Sequence, residues 1–217
     1  LTFLFLFSGS VYGDDLQDGI DASNRKDYKT AYKLLLPLAE QGNARAQVYL
    51  SFMYSKGQEV PQDYKEAEKW MRLSAEQGDA KAQYFLGMMY YFGKGVPQDY
   101  KEVFKWLRLA SEQGHVYSQI HVGDMYFEGQ GVPQNYKEGV KWYQLAAEQG
   151  ERYAQISMGN AYERGQGVPQ DYVSAHMWFN LSGSNGSKVA VTHRNIVENK
   201  MTKQQIEKAQ EMARNWK

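Results

Sequence analysis

Residues 93–100 read GKGVPQDY. Two glycines around a lysine, just ahead of a helix, are the residue types that grip a phosphate. The glycines let backbone N–H groups approach it, and the lysine supplies charge. That chemistry also requires a following serine or threonine and a preceding strand. Neither accompanies this stretch, and the lysine is confined to one of four versions of the same turn. The others are GQE at 57–59, GQG at 129–131 and GQG at 165–167. The turn therefore reads as punctuation between helices.

Other residues with chemical potential fare no better. Ser23 and Lys26 have the S-x-x-K spacing of penicillin-interacting serine enzymes, but the S-D-N and K-T-G partners do not occur. Ser23 is expected in the turn before Asp27, outside a helix. His115, His121, His176 and His193 include no pair at the i, i+4 spacing that sets two imidazoles on one helix face. The carboxylates belong mostly to helix caps and solvated faces, and no acid/base pair stands out. Asn180-Leu181-Ser182 and Asn185-Gly186-Ser187 match glycosylation sequons, which matter only in a eukaryotic secretory host. The chain has no cysteine, which excludes disulfides, thiolate zinc sites and cysteine nucleophiles. The expectation is a protein that is not an enzyme, with no catalytic residues, no metal and no cofactor. With 25 basic and 25 acidic residues the formal charge is zero, which removes the electrostatic argument for nucleic acid as a partner.

The elements that position these residues repeat. Val-Pro-Gln recurs at 60–62, 96–98, 132–134 and 168–170, a step of 36 residues. Trp70, Trp106, Trp142 and Trp178 keep the same period, as do Tyr54, Tyr90, Tyr126 and Tyr162. So do the Gln-Gly pairs from 41–42 to 149–150 and Gly57, Gly93, Gly129 and Gly165. Each period divides into two helices. In the copy at 80–114 the first spans about Ala80 to Phe92, with Ala82, Phe85 or Leu86, Met89 and Tyr90 on one stripe. Gly93 takes the left-handed position that ends it. Asp99 caps the second helix with Glu102 three residues on, a capping box that recurs as Asp63 with Glu66 and Asn135 with Glu138. The second helix carries Tyr100, Val103, Trp106, Leu107 and Ala110 on one face. One such hairpin cannot bury its stripe alone, whereas stacked neighbours can.

The stretch AKAQYFLGMMYYFGKGVPQDYKEVFKWLRLASEQG, residues 80–114, resembles the Sel-1-like repeat (SLR) family, a relative of the tetratricopeptide repeats. The similarity covers about residues 27–182. It implies an all-α fold, a right-handed α-solenoid of stacked helix-turn-helix repeats. The organisation expected is a helical capping pair over 14–42 and four units over 43–182, about 43–78, 79–114, 115–150 and 151–186. Capping helices follow over 187–217, about Val189–Asn199 and Thr202–Trp216, the latter capped by Thr202 with Gln205. For function the resemblance implies a protein-interaction scaffold. A cysteine-rich secreted branch of the family is linked to β-lactam binding or hydrolysis, from which this chain departs in having no cysteine. A structural partner in an envelope assembly is a further reading.

By analogy with tetratricopeptide arrays, the first helices line a concave groove. Its variable positions are Arg45, Lys81, Tyr117 and Tyr153; Val48, Tyr84, Ile120 and Ile156; Phe52, Met88, Asp124 and Asn160; Ser55, Tyr91, Phe127 and Glu163. Aromatic residues and methionines crowd the middle copies, the composition that peptide recognition uses. The predicted partner site is therefore Tyr84, Met88, Tyr91, Phe92, Tyr117, Asp124 and Phe127, for a protein or peptide. The competing reading is that these side chains pack between neighbouring repeats.

At the start, Leu1–Phe7 is almost wholly apolar, and small residues and Asp14 follow. This reads as the end of a secretory signal peptide over 1–13, truncated ahead of Leu1, with cleavage near Gly13–Asp14. The expected location is exported, periplasmic or secreted, with no membrane insertion of the mature chain.

Overall fold

The computed structural model describes residues 8–216. They form α1 (Ser8–Asn24), α2 (Tyr28–Glu40), α3 (Ala44–Lys56), α4 (Tyr64–Glu76), α5 (Ala80–Phe92), α6 (Tyr100–Glu112), α7 (Val116–Glu128), α8 (Tyr136–Glu148), α9 (Arg152–Arg164), α10 (Tyr172–Ser184), α11 (Lys188–Glu198) and α12 (Lys203–Arg214). No strand occurs among the described residues. The chain divides into two compact units, Leu1–Leu109 and Ala110–Lys217. Each is a stretch of α-solenoid in which consecutive helices pack against one another: α1 to α5 in the first, α7 to α10 in the second.

The helix boundaries follow from local chemistry. The Asp79 side chain accepts the Ala82 N–H at 2.7 Å and starts α5. Gly93, at φ +65°, ends it in the left-handed region that glycine enters without a Cβ penalty. The Val-Pro-Gln motif then has a definite task. Gln62, Gln98, Gln134 and Gln170 each donate Nε2–H to a carbonyl in the last turn of the preceding helix, at Ser55, Tyr91, Phe127 and Glu163 (2.6–2.8 Å). Those carbonyls have no intrahelical partner, so the glutamine satisfies a group that would otherwise be left to water.

The capping boxes form only in part. Asp63 and Asp99 accept the Glu66 and Glu102 amides, and Asn135 accepts that of Glu138. The reciprocal bond has a competitor, because the cap residue's own N–H already donates to the carbonyl of Tyr54, Tyr90 or Tyr126. Glu66, Glu102 and Glu138 instead pair with Lys69, Lys105 and Lys141. The complete box is at α12, where Thr202 and Gln205 bond each other's backbone. Ser23 also departs from expectation: α1 continues through it to Asn24, and its carbonyl accepts the Lys26 N–H at 3.0 Å.

A second set of glutamines ties consecutive helices together. Gln47, Gln83, Gln119 and Gln155 are buried, each donating to a carbonyl at the end of the preceding helix: Ala39, Ala75, Ser111 and Ala147. Gln77 and Gln149 extend the ladder by donating to the side chains of Gln47 and Gln119 at 2.8 Å. Buried amides paired in this way avoid a desolvation cost of about 1–3 kcal/mol each.

Apolar packing does the rest. In the first unit Leu35, Leu50 and Met53 form one core, and Met71, Leu86 and Trp106 another. In the second, Met158, Met177 and Trp178 are buried together, with Met212 and Ala213 of α12 against them. Trp216 stands edge-on to Trp178 at 4.6 Å. A fully buried leucine or methionine contributes about 1.5–3 kcal/mol.

Candidate functional site

The predicted site residues lie on two helices, one in each unit. On α5, Tyr84 and Met88 are half-buried, while Tyr91 and Phe92 are exposed, Phe92 by 61%. The Gly87 position helps to orient this helix. A Cβ there would lie 3.0 Å from the Leu107 side chain, so α5 seats its glycine against α6, buries Ala82, Gln83 and Leu86 as well, and leaves Tyr91 and Phe92 exposed.

Met88 and Phe92 reach a pocket of about 480 Å3 between α3, α4 and α5. Its floor is apolar: Phe52, Phe85, Met88 and Met89, with Met71 behind them. Phe52 and Phe85 meet edge to face at 4.9 Å. Lys56 and Lys94 stand at its rim, Lys56 Nζ over the Phe52 ring at 5.9 Å and Lys94 Nζ over Phe92 at 5.8 Å and Tyr64 at 5.7 Å. Lys94 is the lysine of the GKG turn. The turn's second glycine, Gly95, has φ +79°, and a Cβ there would lie 2.0 Å from the Tyr64 carbonyl oxygen, so the backbone runs directly against the start of α4. Tyr84 and Tyr91 contact aromatic neighbours beside the pocket, Phe85 at 5.3 Å and Phe92 at 5.0 Å.

On α7 the three predicted residues have different surroundings. Tyr117 is exposed. Phe127 is half-buried between the rings of Tyr136 and Tyr143, each 5.0 Å away. Asp124 is half-buried and accepts the Tyr143 hydroxyl at 2.6 Å and, more weakly, that of Tyr153 at 3.4 Å. Burial pushes its carboxyl up to about 6, against the lowering effect of the tyrosine hydrogen bonds; Glu128 adds a small upward push. The same burial raises the Tyr143 phenol, which stays a donor. His121 Nδ1 lies 4.0 Å from the carboxylate, and burial lowers the His121 pKa. The arrangement suits a structural hydrogen bond inside the repeat more than proton transfer, because both tyrosines donate to the carboxylate and hold it in place.

Sequence reasoning did not bring out Phe52, Phe85 or the two rim lysines as a set. The available signal was the contrast between copies: at the position of Ser55 the other repeats carry Tyr91, Phe127 and Glu163. It also passed over a polar cluster in the second unit, where Nε2 of the buried His176 bonds the half-buried Glu198 at 2.8 Å and Arg194 bonds Asn180 at 3.0 Å. Among the described residues no group of three or more His, Asp or Glu side chains is placed to hold a metal.

The family model described as Sel1 repeat matches residues 16–43, 44–79, 80–115, 116–151 and 152–187. Among solved structures, a protective antigen of uropathogenic Escherichia coli strains displaying an SLR fold is 36% identical with a TM-score of 0.75. The alignment covers 86% of this chain but 40% of the antigen. A Sel1 repeat protein from Oxalobacter formigenes is 35% identical with a TM-score of 0.78, covering 81% of this chain and 72% of the other. A Klebsiella pneumoniae protein with 17% identity and a TM-score of 0.52, covering 86% of this chain and 93% of its own, shares the fold. No curated protein matches the chain significantly.

Proposed function

The chain belongs to the Sel1 repeat family, whose members generally serve as protein-interaction scaffolds, and from that premise we infer that it is an exported, non-catalytic adaptor. It binds a protein or peptide through the face of its first helices, read above as concave. Tyr84, Met88, Tyr91 and Phe92 supply that face on α5, and Tyr117, Asp124 and Phe127 on α7. One observation carries this reading: α5 leaves Tyr91 and Phe92 exposed beside an apolar pocket that Met88 lines. Large apolar side chains held out of a core in this way usually mark an interaction surface.

Export rests on the apolar run Leu1–Phe7, which lies outside the described residues. Cleavage near Gly13 would cut α1 but leave its packed half, since Ile20 and Ala22 are buried in the first core with Leu16 against it. Among the described residues no helix is long and apolar enough to cross a membrane.

A crosslinking pull-down from envelope extract tests the adaptor reading. The bait is the full chain, beside a Met88→Ala, Tyr91→Ala, Phe92→Ala variant. A partner retained by the wild type and lost by the variant, with helicity and melting unchanged, is expected. Equal capture by the two would remove the α5 face from the proposal. N-terminal sequencing of protein recovered from outside the cytoplasm should begin at or near Asp14; recovery of uncut chain from the cytoplasm would remove export.

A further inference from the structure

The residues that shape the pocket of the first unit change along the repeat. Seventy-two residues on, two periods later, Ser55 corresponds to Phe127, Lys56 to Glu128, Phe92 to Arg164 and Lys94 to Gln166. In that later copy the Phe127 ring occupies the space beside Tyr136 and Tyr143. It lies so close over Gly139 that a Cβ there would sit 2.4 Å from it. In the first unit the small Ser55 leaves the corresponding volume open, about 480 Å3, within the range of pockets that accept an organic ligand or a large side chain.

The charge at the rim is just as particular. Lys56 and Lys94 flank the opening, and the residues lining the pocket include no carboxylate. The chain as a whole is neutral. This local concentration of positive charge therefore distinguishes partners by charge where the global balance cannot. Both ammonium groups lie over aromatic faces, which favours keeping them at the mouth, near an incoming anion.

We propose that this pocket receives one large apolar side chain of an extended acidic peptide, with carboxylates flanking that side chain held by Lys56 and Lys94. The proposal rests on the adaptor reading and names the chemistry of its ligand. The apolar floor supplies the anchor, the two lysines select the flanking charge, and the exposed Phe92 ring closes one side.

The probe is a fluorescein-labelled peptide with one tryptophan between two glutamates in a Gly-Ser background, against the same peptide with two lysines. Each is titrated by anisotropy into the full chain. The glutamate form is expected to bind at least about tenfold tighter, and less tightly as salt rises. Ser55→Phe should weaken it about tenfold or more by filling the pocket with the ring found at Phe127. Phe92→Ser, an exposed change that does not touch the core, should weaken it too. Lys56→Glu with Lys94→Gln, the residues of the later copy, should abolish the preference for glutamate. Equal binding of the two peptides, or tight binding that survives Ser55→Phe, would overturn the proposal while leaving the adaptor reading in place. A concentration-dependent dimer abolished by Ser55→Phe would assign the pocket to a second copy of the chain and overturn it as well. If neither this peptide nor any member of a random displayed library is retained by the full chain, the adaptor reading falls together with the pocket.

Discussion

Asp124→Asn should make the protein more stable at neutral pH, although it alters a carboxylate that accepts two hydrogen bonds. The fold raises the Asp124 pKa from its ordinary 3.8 to about 6, chiefly by burial. Between those values the folded protein holds a proton that the unfolded chain has released, so stability falls as pH rises through this window. The contribution is fully present below about 3.8 and lost above about 6. At about 1.36 kcal/mol for each tenfold in proton affinity, the gap sets a ceiling of about 3 kcal/mol. The carboxyl side chain is 25% exposed, and solvent screening reduces the expected figure to about 1–2 kcal/mol. Asparagine keeps an oxygen to accept the Tyr143 hydroxyl and removes the charge, and the next copy already carries Asn160 at the same place. Urea unfolding of wild type and variant, followed by circular dichroism from about pH 4 to pH 8, reads the difference directly. The variant should lead near pH 7.5, and its advantage should shrink to nothing near pH 4. A variant less stable at pH 7.5, or a gap that does not change with pH, would refute the reasoning. His121, Glu128, Tyr143 and Tyr153 surround the carboxyl, and they stay the same in both proteins.

Two further outcomes follow from backbone and packing. Gly159→Ala should destabilise by about 1–3 kcal/mol, because a Cβ there would sit 2.4 Å from the ring of Phe179, which is fully buried; thermal unfolding checks this, and an unchanged midpoint would show that the ring can retreat. Glu59→Gly should stabilise by up to about 1 kcal/mol, because Glu59 holds φ +65° where the later copies have Gly95, Gly131 and Gly167; a drop in the urea midpoint would contradict it.

The sequence was most legible where the determining contacts are local or periodic. Gly93 and Asp99 marked helix ends because a left-handed residue and a side-chain cap act within a few positions. The reciprocal halves of the capping boxes misled. The competing acceptor, the Tyr90 carbonyl in the case of Asp99, lies nine residues back across a turn, and spacing alone cannot weigh it. The pocket was illegible for a different cause. It depends on the difference in volume between serine at 55 and phenylalanine at 127, which becomes a cavity only once three helices are set around it. Asp124 and Phe127 shared a helical register with the exposed Tyr117, yet the sequence could not tell that Tyr143 would reach across to both.

The joints between consecutive helices have a bearing on how such a chain can grow. Gln47 and Gln155 bond main-chain carbonyls, and so do Gln62 and Gln170; the cap amides of Asp63 and Asp171 likewise donate to main-chain oxygens. Each of these joints thus asks its neighbour for a peptide group in the right place, whereas the Gln77–Gln47 and Gln149–Gln119 bonds also need a particular side chain. A duplicated 36-residue block would bring both halves of every joint with it. Gene duplication can therefore lengthen the array without any compensating substitution at the seam, while variable positions such as 55, 56 and 94 remain free to diverge one copy at a time.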